Sequence, residues 1–264
     1  MFMTVVEEGA HVYGRLRRRL LVALTLLAGM LVVPGGQAAG APRPIVGGES
    51  ASVADYPFVA YLVDGRGNQY CGATLVSSEA VLTAAHCALA VRRSDIGVVV
   101  GRDDTVSGDG VRSDVRDVWV APGYDNPLAG DDLAVLTLSR TVPYRTAEVA
   151  TSSRLYAPGT RATVLGWGRL YENGPKPGSL RSARVPVVSD ATCAGIYRSF
   201  DSDTMVCAGY EEGGTDACQG DSGGPLVVGG TVIGVVSWGD GCAEPNRPGV
   251  YTRVAAYADQ LPGL

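Results

Sequence analysis

A histidine, an aspartate and a serine in this chain each sit where acyl-transfer chemistry would need them. His86 ends the apolar segment Leu82-Thr83-Ala84-Ala85-His86-Cys87, and the only other histidine, His11, lies ahead of the arginine cluster Arg15, Arg17, Arg18 and Arg19. An imidazole can take a proton and return it near neutral pH, so a histidine base would have to be His86. Ser222 stands in Gly220-Asp221-Ser222-Gly223-Gly224-Pro225. Glycines on both sides let the backbone turn sharply and let a substrate come close, while adjacent N–H groups can converge on an oxyanion. Asp132 opens the apolar run Asp132-Leu133-Ala134-Val135-Leu136. A carboxylate leading into such a strand is headed for burial and then needs a donor, which an imidazole N–H supplies. Singly, each residue has a plainer reading: a hydrogen-bonded structural histidine, an ordinary glycine turn, a solvated acid. Together they point to nucleophilic catalysis with serine as nucleophile, histidine as base and aspartate as the partner of the base. Chain order narrows this further. A strand-to-helix nucleophile elbow would place its histidine after the serine, and no histidine follows residue 86.

Many short strands would have to carry these residues. Twelve segments rich in Val, Leu, Ile or Thr and bounded by Gly, Pro, Asp or Asn read as strands. Six are Pro57–Asp64, Gln69–Ser77, Ala80–Ala85, Ile96–Gly101, Val111–Ala121 and Leu133–Leu138. Beyond a polar, proline-containing stretch come Arg161–Gly166, Leu180–Val188, Thr204–Ala208, Pro225–Val228, Thr231–Trp238 and Gly249–Val254. No long 3.6-residue period separates them, which disfavours a parallel α/β sheet. The fold class is therefore all-β, with six strands on each side of a seam near residue 150. Two small closed sheets would leave few exposed edges. A short helix is expected to open at Asp190, and another to end the chain over Val254–Leu261 with Pro262 stopping it. Of the 264 residues, 46% are apolar and 19% charged, and the 36 glycines follow no period. That composition supports a packed core and excludes collagen and disorder.

The four arginines Arg15–Arg19 precede an apolar run from Leu20 to Val33 and then Pro34-Gly35-Gly36-Gln37-Ala38-Ala39. Basic head, short apolar middle and small-residue tail make a secretory signal over residues 1–39; the run is shorter than the roughly 20 residues of a membrane span. The six cysteines, Cys71, Cys87, Cys193, Cys207, Cys218 and Cys242, all follow it. An even number in an oxidising compartment reads as disulfides, and the close C-x-x-C spacing of a metal site is absent, so no metal is assigned. Six cysteines allow 15 pairings, among which spacing does not choose. Of the 22 basic and 27 acidic residues, five and two precede Ile45, so the remainder carries a balance of −8. That sign argues against nucleic acid or an anionic membrane as partner.

Taken together, Thr83-Ala84-Ala85-His86-Cys87, Asp132-Leu133-Ala134 and Gly220-Asp221-Ser222-Gly223-Gly224-Pro225 resemble the three triad blocks of the chymotrypsin-like serine proteases. Ile45-Val46-Gly47-Gly48 is similar to their mature N-terminus, and Gly166-Trp167-Gly168 and Ser237-Trp238-Gly239 also match, so the resemblance runs from Ile45 to about Val254. It implies two six-stranded antiparallel β-barrels with a short C-terminal helix, the first over about 45–150 and the second over about 151–264, preceded by a short propeptide at 40–44. It implies that Ser222 attacks the scissile carbonyl, His86 shuttles the proton, Asp132 fixes the imidazole, and the N–H groups of Gly220 and Ser222 hold the oxyanion. It also selects the pairings Cys71–Cys87, Cys193–Cys207 and Cys218–Cys242.

The resemblance further places Asp216 at the floor of the primary specificity pocket, which makes the type trypsin-like, with Ala217, Gln219, Ser237, Trp238, Gly239 and Gly249 as substrate-binding neighbours. A buried carboxylate wants a cation and penalises an apolar side chain that leaves it unpaired. Ala217 stands where related trypsins have serine, so arginine is expected to be favoured over lysine. Ile45, once freed, would pair its ammonium with Asp221. Pro44, preceded by Arg43, replaces the usual basic residue before that isoleucine, so the activating protease is expected to be a different enzyme. The family's calcium loop falls near Gly101–Asp114, where Arg102 takes what corresponds to a ligand position, and no cofactor is assigned. The expected protein is a secreted monomer acting on polypeptides with Arg or Lys at the cleaved position and open to protein protease inhibitors. The rival reading is an inactive homologue serving as a binding protein.

Overall fold

The structure is a computed structural model that describes residues 44–263; the signal segment and residues 40–43 of the propeptide lie outside the described residues. Fourteen strands run through it. In chain order they are β1 (Glu49–Ser50), β2 (Val59–Val63), β3 (Gln69–Ser77), β4 (Ala80–Thr83), β5 (Gly97–Val100), β6 (Val111–Val120) and β7 (Ala134–Leu138), then β8 (Glu148–Val149), β9 (Arg161–Gly166), β10 (Arg181–Pro186), β11 (Met205–Ala208), β12 (Pro225–Val228), β13 (Thr231–Trp238) and β14 (Gly249–Arg253).

Strands β2 to β7 close into an antiparallel barrel in the order β2-β3-β4-β7-β6-β5, the last pairing back onto β2 through Ala60–Val100 and Tyr61–Val99. The second sheet follows the order β10-β9-β12-β13-β14-β11. Its ring is completed by the bridge between Val187 and Ala208, supported by Val188 N–H to Cys207 O at 2.8 Å and Gly209 N–H to Pro186 O at 3.0 Å. Closure satisfies edges that an open sheet would present to other chains. β1 adds antiparallel to β10, and β8 runs parallel to β13. Among the described residues no helix is long and apolar enough to cross a membrane.

The twelve segments read from composition are the twelve barrel strands, with ends shifted by a few residues. β2, β4, β5 and β11 are buried on both faces, which explains why they read as continuous apolar runs instead of alternating ones. The helix at Asp190–Ile196 starts as expected, capped by Ser189 Oγ accepting from Thr192 N–H at 3.1 Å. The terminal helix, Val254–Gln260, is 3₁₀ and not α.

The two barrels share packing at their seam. Leu62, Leu75, Leu82 and Leu136 of the first lie in one cluster with Leu165, Trp167, Val227 and Val235 of the second. Tyr61 meets Trp167 edge to face at 4.8 Å between ring centroids. β3 also approaches the loop before β12 closely. A Cβ on Gly72 would fall 2.7 Å from Gly224 Cα, and Gly72 N–H donates to Ser222 O at 2.7 Å. Only glycine fits where two backbones touch. Gly72→Ala is therefore expected to cost about 2 kcal/mol or more and to displace the Ser222 loop, so thermal midpoint and enzyme activity fall together. A variant with both unchanged would show that the seam has slack.

Candidate active site

The end of β4 and the turn before β7 bring histidine and aspartate together. His86 lies in a single helical turn, Ala85–Ala88, directly after β4, and Cys71–Cys87 ties that turn back to β3. Asp132, 1% exposed, precedes β7. Its Oδ1 accepts the His86 backbone N–H at 2.9 Å and its Oδ2 lies 2.8 Å from His86 Nδ1. Gripping backbone and ring at once leaves the imidazole one orientation and puts its other nitrogen, Nε2, away from the carboxylate. Two groups from the second barrel complete the arrangement: Ser237 Oγ donates to Asp132 Oδ2 at 2.6 Å, and Thr252 Oγ1 donates to Asp132 O at 2.7 Å. Asp131, at φ 54°, is in the left-handed region and is held there by Tyr257 O–H at 2.6 Å. Aspartate tolerates that conformation better than most residues, and the kink aims its successor inward.

Ser222 sits in the loop joining Cys218 to β12. Gly223, at φ 80°, presses against Thr83 and Gly72, so the loop abuts the end of β4 that carries His86. No hydrogen bond joins Ser222 Oγ to His86 here; Nε2 lies 3.5 Å from Cys87 Sγ. Such a contact is often long without substrate and tightens in the complex. Within the loop, the N–H groups of Asp221, Gly223 and Gly224 donate to Cys218 O, Val236 O and Asp221 O. Those of Gly220 and Ser222 enter none of the loop's hydrogen bonds, which leaves two alternate donors for a ligand oxygen.

Beside the serine opens a cavity of about 150 Å³. Asp216, Ala217, Gln219, Ser222, Ser237, Trp238, Gly239 and Gly249 all line it; Tyr251 and the Cys218–Cys242 pair, which carried no pocket role in the sequence reading, line it too. Asp216 is 4% exposed, with Oδ1 accepting from Ala217 N–H at 2.7 Å and Tyr251 O–H at 3.4 Å. Burial raises its pKa to about 7 against the opposing pull of those bonds. A Cβ on Gly249 would come within 2.6 Å of Asp216 Oδ1, so that glycine is the room the carboxylate occupies.

Asp221 is fully buried. It accepts from Gly168 N–H at 2.7 Å and Cys218 N–H at 2.9 Å, and burial raises its pKa to about 6. Gly166 and Gly168 clear space for it, since a Cβ on either would strike its carboxylate. Ile45 is also fully buried, in the core of the second barrel, and Asp216 N–H donates to Val46 O at 3.1 Å. Cys193–Cys207 is the third disulfide, so all six cysteines pair as the resemblance implied. At the loop near Gly101, Arg102 Nε donates to Asp109 O at 2.5 Å, and the Asp103 carboxylate accepts from Ser52 Oγ and Val53 N–H.

Comparison with known proteins agrees with this arrangement. A family model described as Trypsin matches residues 45–261. A trypsin of Saccharopolyspora erythraea is 50% identical over 218 residues, which cover 82% of this chain and 96% of that protein. Trypsin 5G1 of Aedes aegypti is 41% identical over 221 residues, 81% of this chain and 82% of the relative. The trypsin of Sus scrofa is 36% identical over 222 residues, 82% and 94% of the two. The chain belongs to the trypsin family and is a trypsin-like serine endopeptidase.

Proposed function

We propose that this endopeptidase cleaves polypeptides after arginine, and less well after lysine, with Ser222, His86 and Asp132 as its catalytic residues. The observation that carries the reading is that the Ser222 loop packs against the end of β4, which leads into His86 with its ring oriented by Asp132, and that Ser222 and the buried Asp216 line one cavity. Ser222 Oγ attacks the scissile carbonyl carbon while His86 Nε2 takes its proton. The resulting oxyanion is held by the N–H groups of Gly220 and Ser222. His86 then returns the proton to the leaving amine, the C–N bond breaks, and an acyl-Ser222 ester remains. Water attacks that ester by the same route, His86 accepting its proton and passing it to Ser222 Oγ as the acid departs. Asp132 stabilises the imidazolium in both halves, and Ser237 holds Asp132.

A guanidinium entering the cavity would relieve the Asp216 carboxylate of its burial penalty. Reaction with a fluorophosphonate at Ser222 and cleavage after arginine test the function directly. With Ala217 offering no hydroxyl, kcat/KM for a matched arginyl substrate is expected to exceed the lysyl one by roughly tenfold, and Ala217→Ser to narrow the gap. Equal values for the two substrates would refute the specificity; failure to label would refute the catalytic reading.

A carboxyl group raised to about 7 binds a cation only as it ionises. Benzamidine affinity is therefore expected to climb from pH 5 and level off above pH 7. The ligand-free protein behaves oppositely. Folded Asp216 and Asp221 hold protons more tightly than they would unfolded, so their contribution to stability is full below about pH 4 and is lost as pH rises through about 6 to 7. Titration calorimetry across that range, with Asp216→Ser as the flat control, checks the first sign and thermal melts the second.

The chain is read as a zymogen that becomes active when Ile45 is freed and its ammonium neutralises Asp221. Ile45 supports this: a β-branched residue at φ 34° is strained, and that angle ceases to exist once the bond to Pro44 is cut. Proenzyme carrying Ser222→Ala is expected to stay intact with the active form, because neither Arg43-Pro44 nor Pro44-Ile45 suits such a protease. Appearance of an Ile45 N-terminus in that mixture would overturn separate activation. The arginine-rich leader over residues 1–39 supports secretion, and the mature enzyme is read as a monomer that protein inhibitors could engage at the same cavity.

A further inference from the structure

Four consecutive carbonyls around the proposed oxyanion site are each tied to a donor elsewhere. Gln219 O accepts from Arg169 N–H at 2.9 Å, Asp221 O from Gly224 N–H at 2.8 Å and Ser222 O from Gly72 N–H at 2.7 Å. Gly220 O alone is held by a side chain: Gln69 Nε2 donates to it at 2.9 Å. Gly220 is at φ 102°, a conformation with no intrinsic preference to keep it there. The tethers on the peptides either side of it therefore decide where its N–H points.

A carboxamide can face either way, and the wrong way would aim Gln69 Oε1 at the Gly220 carbonyl. Lys176, the only lysine in the chain, prevents this. Its Nζ donates to Gln69 Oε1 at 2.6 Å and to Gln69 O at 2.9 Å. An ammonium has donors only, so the oxygen of the carboxamide must face it and the NH₂ must face Gly220. The same Nζ lies 3.2 Å from the point where a Cβ on Gly220 would be, so the brace packs directly against the peptide it serves. Lys176 comes from the exposed loop before β10, Gln69 from the start of β3, and the brace thus joins both barrels at the oxyanion loop.

We propose that Lys176 is a positioning residue for the oxyanion site, fixing the Gln69 carboxamide so that it holds the Gly220 carbonyl and, with Gln219 O held by Arg169 N–H on the other side of the Gly220 Cα, keeps the Gly220 N–H available to the transition state. The inference rests on the reading of Gly220 and Ser222 as oxyanion donors. Partial desolvation and neighbouring Arg169 lower the pKa of the lysine, against the pull of Asp221, so the two hydrogen bonds to Gln69 are what hold the ammonium in place.

The test uses enzyme secreted from the full-length chain and compares wild type with Lys176→Met, Lys176→Arg, Gln69→Leu and the Lys176→Met/Gln69→Leu double variant. Losing the brace is expected to lower kcat about tenfold, less than removing an oxyanion donor outright, with KM within about twofold. Affinity for an arginyl aldehyde, whose hemiacetal oxygen occupies the oxyanion site, falls in step. Benzamidine, which fills only the Asp216 cavity, binds as before, which also reports that the variants are folded. Lys176→Arg recovers most of the loss, and the double variant is no worse than Gln69→Leu because the two residues act as a unit. An active wild type whose Lys176→Met variant keeps kcat and aldehyde affinity overturns the brace alone, as does a loss that extends equally to benzamidine. A wild type that fluorophosphonate does not label overturns the functional reading and the brace with it.

Discussion

One buried carboxylate joins the two barrels at the point where the chemistry is proposed. Asp132 receives His86 from the first barrel through both backbone and ring, and Ser237 and Thr252 from the second through two hydroxyls. An aspartate excluded from water without such donors would be costly. With them, it becomes the group against which each barrel is registered. A shift of one barrel over the other would break bonds to a desolvated anion, so the seam is held by electrostatics as well as by apolar packing. The touching backbones of Gly72 and Gly224 add a steric stop at the same place.

Asp216 and Asp221 contrast with it. Both are buried, yet neither has a cation bonded to it, and burial lifts both pKa values. One carboxylate, Asp216, lines the cavity beside Ser222. The other lies within the Ser222 loop, held by Gly168 N–H and Cys218 N–H. In both places backbone N–H groups carry the carboxylate in place of a cation.

The barrel strands were readable because strands buried on both faces must be apolar along their whole length, as β2 and β5 are. β1 and β8 were not, since two residues such as Glu49-Ser50 carry no pattern and pair only because β10 and β13 present edges to them. Among the site residues, motif blocks singled out His86, Asp132, Ser222 and the cavity floor. Gln69 read only as the start of a strand, and Lys176 lies 107 positions away on another loop, a link no local spacing reveals. Tyr251 and Thr252 were missed for a related reason. Their hydroxyls reach Asp216 and the Asp132 backbone from a strand that otherwise looks like core.

The β2–β3 turn has a bearing on how long such a molecule survives among its own copies. Under the proposed specificity, every accessible bond after a basic residue is a place to be digested, and a protease takes its substrate as an extended strand. Arg66 tops this exposed turn, but Asp64 ties it down: its carboxylate accepts from Arg66 N–H at 2.8 Å and Asn68 N–H at 2.9 Å, and its carbonyl from Gly67 N–H at 2.9 Å. Lys176 and Arg247, on other loops, are each followed by proline. At these three basic residues a pinned turn or a following proline thus withholds the straight segment that such a cleft would accept.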